Sequence, residues 1–142
     1  MKMSLMKRID NYLNYKDEPE FFQNKASDAE IEQAEEQLGV IFDKDYKEFI
    51  KRYGGCYVGV DVYAFKNASD LSNKTVIDLT LFYRDQEVIS ETGGFYTISF
   101  DGSGNPIILN QTGEVVMYDH DNGEFIVEAA SFEELIEANL PD

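Results

Sequence analysis

Beyond Arg84 the chain has neither lysine nor arginine, although it continues to Asp142. That stretch holds thirteen carboxylates, so the formal net charge of −16 divides into −3 for residues 1–84 and −13 for residues 85–142. A surface of one sign repels nucleic acid and anionic membrane, and it attracts basic proteins or cations. The same charge can also serve solubility alone. Cysteine is scarce too. Cys56 stands alone, which excludes an internal disulfide and makes a reducing compartment, the cytoplasm, the simpler expectation. No apolar run approaches the roughly 18–20 residues of a membrane span, and Asp10 and Asn11 arrive before a signal-peptide core could form. Histidine occurs once, at His120, and one Cys with one His cannot build a tetrahedral zinc site.

What is present belongs to a folded protein. With 142 residues, 43% hydrophobic and 13% aromatic, the chain is expected to form one domain over residues 1–142 and to bury a core without staples. Helix signals are clear in four places. Leu5, Ile9, Tyr12 and Leu13 share a face in a helix that must end before Pro19. Ser27-Asp28-Ala29-Glu30 is a capping box, followed by Ile31, Ala34 and Leu38 on one side and Gly39 at the C-terminal stop. Asp43 can cap a helix that buries Tyr46, Phe49, Ile50 and Tyr53. Ser131-Phe132-Glu133-Glu134 is read as a second capping box, with Phe132, Leu135, Ile136 and Leu140 inward.

Strand patterns fall between them. Tyr57–Phe65 alternates at Val58, Val60, Val62 and Ala64 and reads as one strand. Segments 95–100, 106–110, 114–118 and 124–128 follow at short intervals, joined by Gly-, Asn- and Asp-rich turns, which predicts an antiparallel meander. Residues 75–84 admit two readings. Ile77, Leu81 and Arg84 suit a helix, the reading preferred, whereas the Thr and Val content suits a strand.

The motifs that could carry chemistry mostly fail its requirements. His120 lies between Asp119 and Asp121 in a turn, and nothing in the spacing brings Cys56 to it. The Asp101–Asn105 loop places Pro106 where a calcium loop needs Gly and Thr112 where it needs Glu. The Asp119 loop puts Gly and Glu at its fifth and sixth positions, again outside that pattern. The glycines of the first loop precede a strand and no lysine follows them, so they form no phosphate cradle. No cofactor and no metal are expected, and no catalytic residue is assigned.

Residues 27–39, then Asp45-Tyr46-Lys47-Glu48-Phe49-Ile50 and Tyr53-Gly54-Gly55, resemble the front of the SUKH superfamily. Residues 98–107, Gly113-Glu114-Val115 through Tyr118-Asp119-His120, and Ser131–Leu135 continue the resemblance in order, over roughly 26–140. Phe42-Asp43 stands where the family often has Leu-Pro, and residues 66–94 match nothing recognisable. The resemblance implies an α+β fold with a curved antiparallel sheet of about five to six strands flanked by helices. It also implies protein binding, since bacterial members are similar to immunity proteins that neutralise polymorphic toxins, often nucleases. The expected partner is therefore a basic toxin held by occlusion, with neither nucleic acid nor membrane bound and a homodimer left open.

Candidate contacts, chosen for their chemistry, are Tyr57, Asp61, Tyr63, Asp85 and Glu87, with the family-like turn residues Asp101, Asn105, Asp119, His120 and Asp121. The turn residues have an alternative role in shaping the sheet alone. Two other functions compete: a scaffold or regulator with no toxin partner, and, ranked last, an acid-dependent hydrolase using Asp101 or Asp119.

Overall fold

In the computed structural model, which describes residues 1–141, the first helix α1 spans Met3–Leu13 and buries Leu5 and Ile9. Tyr12, expected on that face, stays at the rim, about a third exposed. Pro19 does more than end it. Proline preset at the first helical position, where its missing N–H costs nothing, opens the short helix α2, Pro19–Asn24, which periodicity did not reveal.

Helix α3, Asp28–Leu38, begins with the expected reciprocal cap. The Glu30 amide donates to Ser27 Oγ at 3.1 Å and the Ser27 amide to Glu30 Oε1 at 3.0 Å. It ends at Gly39 with φ +67°, a left-handed conformation that a side chain disfavours. Asp43 accepts from the amides of Asp45 and Tyr46 to start α4, Lys44–Tyr53. The last helix, α6 at Phe132–Asn139, has half the expected box. Ser131 accepts from the Glu134 amide, but the Glu134 carboxylate takes the Ala130 amide, one residue earlier than a capping box requires.

The segment read as one strand over 57–65 divides. β1 (Cys56–Tyr57) and β2 (Asp61–Val62) form an antiparallel hairpin of their own, pairing Cys56 with Val62. The cause lies at Gly59, φ +88°, where the Asn139 carbonyl oxygen stands 1.7 Å from the place a Cβ would occupy. The segment left ambiguous by pattern is helix α5, Val76–Asp85. Thr75 and Asp78 cap it reciprocally at 3.0 Å each.

The other four strands form the expected meander: β3 (Tyr96–Phe100), β4 (Pro106–Leu109), β5 (Val115–Asp119) and β6 (Glu124–Ala129), antiparallel in that order. The fold is α+β, with six helices and sheets of two and four strands among the described residues.

Two apolar clusters sandwich the larger sheet. The main one draws on all the helices and takes Ile107, Leu109 and Val115 from one face. Its centre is aromatic: Phe132 meets Tyr46 and Phe49 edge-on at 5.6 and 5.5 Å, geometry worth about 0.5–1.5 kcal/mol per pair beyond burial. The smaller cluster joins Tyr83 of α5 and Ile89 to Ile108 and Val116. Those two strand residues pair with each other and alternate with the main-core residues, so they lie on the opposite face.

Candidate functional site

Helix α5 and the sheet turns beside it hold much of what chemistry alone had singled out. The helix buries Val76, Leu79, Thr80 and Tyr83. Thr80 Oγ1 donates to the Val76 carbonyl at 2.7 Å and accepts from the Thr97 amide at 2.9 Å, which ties the helix to β3. The opposite side carries Leu81 and Phe82, the latter 56% exposed, at an open groove shared with Phe100 and Gly104. Asp85 and Glu91 stand along its wall, and Lys74 lies in the same lining.

Arg84, the last cation of the chain, does not balance those acids. Its Nη2 donates to the carbonyl of Leu38, the last residue of α3, at 2.7 Å. A cation there satisfies an otherwise unpaired helix-end carbonyl and meets the negative end of the helix dipole. Among the described residues no lysine or arginine pairs with Asp85, Glu87, Glu91, Asp101, Asp119, Glu124 or Glu128.

The two family-like turns meet. Asp101 Oδ1 accepts from the amides of Ser103 and Asn105 at 2.9 and 3.0 Å, and Oδ2 from Asn105 Nδ2 at 3.1 Å. Partial burial pushes the Asp101 carboxyl up, but these hydrogen bonds, with the nearby His120, outweigh it and hold the group below its ordinary range. Asn105 is only 6% exposed, and its Oδ1 accepts the His120 backbone N–H at 3.0 Å while also meeting His120 Nδ1. Tyr83 Oη donates to the Gly104 carbonyl at 2.7 Å, which fastens α5 to the same turn. Asp119 folds back on the Asp121 amide, and His120 Nε2 lies 3.4 Å from Asp121. Asp101, Asn105, Asp119, His120 and Asp121 thus form one assembly at the end of the sheet. Most of their polar atoms are directed into the turns, while His120 and Asp121 keep exposed surface.

The remaining candidates lie elsewhere. Tyr57 is exposed on β1, and Asp61 opposite it has its carboxyl raised by partial burial and by the charge of Asp70. Tyr63 is 2% exposed, stacked on Phe100 at 5.4 Å, so its ring is not presented in this conformation. Asp85 and Glu87 are both exposed at the end of α5. Burial pushes the Cys56 thiol far up, which leaves it a poor nucleophile, and its environment shares nothing with that of His120.

Pattern missed two features. Phe82 stands exposed beside Leu81 on a helix whose other face is buried, which pattern did not distinguish. Phe125, Ile126 and Val127 on β6 are exposed, although three apolar residues in a row read as a strand buried on both faces.

Among the described residues no helix is long and apolar enough to cross a membrane, and no group of three or more metal-ligating side chains is gathered. The fold and this surface define an acidic α+β protein with exposed aromatic groups beside unneutralised carboxylates. The family model described as SMI1-KNR4 cell-wall, of the SUKH group, matches residues 5–140, nearly the whole chain, and the protein belongs to that family. A search of curated proteins finds no match.

Proposed function

We propose that the protein is an immunity protein. It binds a cognate toxin, a basic protein and in the first instance a nuclease, and covers the toxin's active surface in the cytoplasm without turning anything over itself. Family membership supports the binding role. The observation that carries the reading further is the inward turn of Arg84 toward Leu38. It leaves Asp85, Glu87 and Glu91 unneutralised beside the exposed Phe82 and Leu81. Aromatic anchors bordered by charge supply affinity, while complementary charge speeds encounter and selects the partner. A nuclease must present positive charge to its substrate, and an acidic face competes for that surface.

The test is co-expression with a candidate toxin drawn from the genes that neighbour this one. Cells survive only when this chain is present, and the two proteins co-purify in a fixed ratio. The triple substitution Asp85→Lys, Glu87→Lys, Glu91→Lys reduces protection while the fold persists. Survival without the chain, or a stable complex with a housekeeping protein and no toxin, would establish the scaffold reading instead.

A further inference from the structure

The four-stranded sheet ends on β6, which pairs with β5 and with no other strand among the described residues. Its outer edge therefore offers a row of unpaired backbone N–H and C=O groups, and proteins commonly protect such an edge. Here the protection is slight. Phe125, Ile126 and Val127 are 56%, 40% and 59% exposed, in successive positions, so apolar surface emerges on both faces of the strand. On one face Phe125 rests on Tyr118, with ring centroids 5.0 Å apart. The smaller apolar cluster includes Val116, with Tyr118 packed against it, but does not take in Val127, the cross-strand partner of Val116.

Two carboxylates flank the triplet, Glu124 and Glu128, both exposed. A second copy of the chain is the obvious occupant, and its charges oppose it. Antiparallel self-pairing centred on Ile126 sets Glu124 of each copy opposite Glu128 of the other, two like-charge contacts on one short ladder. The pairing register also shifts between Val115 and Val116, a bulge beside Glu128 that bends the edge near its end. A strand with basic residues at both ends turns the same two positions into attractions.

We infer that β6 is a docking edge for an extended segment of a basic protein, one carrying Lys or Arg on either side of three apolar residues, which joins the sheet as a further strand. Backbone hydrogen bonds supply affinity in this mode, and alternate side chains supply selectivity. Glu124 and Glu128 then act as selectors: they refuse self-pairing and accept a partner of opposite sign. The inference deepens the immunity reading and rests on it only for the identity of the partner.

The probe is a short capped peptide, Thr-Lys-Val-Ile-Val-Lys-Thr, titrated into the full chain and followed by amide chemical shifts and hydrogen exchange. Binding is expected to shift residues 124–129, to slow exchange of outward β6 amides, and to weaken about tenfold or more when both lysines become glutamate. The double substitution Phe125→Ser, Val127→Ser, at positions already exposed, abolishes it without unfolding the chain. Failure of the lysine peptide to bind, or shifts confined to the α5 groove, would overturn the inference. So would a wild-type dimer broken by Ile126→Lys, since the occupant would then be a second copy. With the toxin in hand, protection retained by the serine variant overturns the docking edge and leaves the immunity reading intact. Peptide binding as expected, with no toxin found, sinks that reading and leaves the edge standing.

Discussion

Asn105 Oδ1 accepts the backbone N–H of His120 at 3.0 Å, across fifteen residues of sequence, and so locks the β3–β4 turn to the β5–β6 turn. The same side chain gives its amide to Asp101 Oδ2 at 3.1 Å. Asn105→Ala leaves the His120 amide and one carboxylate oxygen short of a partner in a partly buried setting. Leaving such groups unpaired costs about 1–3 kcal/mol each before relaxation, so a loss of about 2–3 kcal/mol is expected in urea denaturation. A loss under about 0.5 kcal/mol would show that water replaces both bonds.

The joining of those turns was legible in principle. Alternate turns of a meander fall at the same end of the sheet, so Asp101–Asn105 and Asp119–His120 must be neighbours once four strands are assigned. Capping signals were equally direct at Ser27 and Asp43, because a cap needs only residues a few positions apart. Thr75–Asp78 escaped notice because Asp stands where the usual pattern has Glu or Gln. Long-range causes were not legible. The break of 57–65 comes from the Asn139 carbonyl crowding Gly59, some eighty residues away. Tyr63 alternates away from Val62 and Ala64 as expected of a strand, yet Phe100 covers it from the neighbouring sheet. Exposure of Phe125, Ile126 and Val127 depends on where the helices stop, which no local pattern records.

Gly59→Ala should be among the most damaging single changes in the chain. The new Cβ meets the Asn139 carbonyl oxygen at 1.7 Å, and φ +88° already disfavours any side chain. Relief requires moving the end of α6 or flattening the turn, at a cost of at least about 3 kcal/mol. Gly102→Ala is the control, since a Cβ there meets nothing within 4 Å, and it should shift stability by no more than about 0.5 kcal/mol. Thermal melts of the two variants that coincide would refute the crowding argument.

Two threonines that face each other across α5 and β3 should respond with opposite signs. Thr80 Oγ1 is fully bonded, between the Val76 carbonyl and the Thr97 amide. Thr80→Val orphans a buried N–H and costs about 1–3 kcal/mol. Thr97 Oγ1, by contrast, is buried with no hydrogen-bond partner. Thr97→Val replaces that hydroxyl with a methyl of similar shape, and stability is expected to hold or rise by up to about 1 kcal/mol. A loss on Thr97→Val as large as that on Thr80→Val would mean the hydroxyl is satisfied in solution.

Asp10 sets an acid limit on the N-terminal half. Its carboxylate accepts from Arg52 Nη2 at 2.7 Å and from Tyr53 Oη at 2.6 Å. Partial burial pushes the Asp10 carboxyl up, and the hydrogen bonds from Arg52 and Tyr53 outweigh it, so the folded value lies below the ordinary one. A depressed carboxyl stabilises the fold fully above its unfolded value of about 3.9, and the contribution drains away as pH falls through the lower folded value. Asp10→Asn should therefore narrow the stability gap to wild type as pH drops from 5 toward 2. The pair is partly solvated, so the difference at neutral pH is about 1 kcal/mol, smaller than a buried pair would show. A gap that widens in acid would contradict the sign.

Salt should stabilise this protein, even though it weakens the Asp10–Arg52 pair. Two carboxylates roughly 10 Å apart in water repel by about 0.4 kcal/mol before screening. Thirteen acids without a lysine or arginine in the same 58-residue stretch make many such pairs, whereas the favourable exposed ion pairs are few and worth about 1 kcal/mol or less each. Repulsion therefore dominates the salt-dependent part of stability. At roughly 0.5 M salt the Debye length falls to about 4–5 Å, below the spacing of those pairs. A rise in Tm of several degrees between about 0.02 M and 0.5 M sodium chloride is expected, at about 3–5 °C for each kcal/mol recovered. Neutralising Glu124→Gln and Glu128→Gln together should raise Tm at low salt and lose that advantage at high salt, because the substitution and the screening remove the same repulsion. If Tm falls with added salt, the acidic half is balanced by charges from the rest of the fold, and the open acidic face assigned to it does not exist.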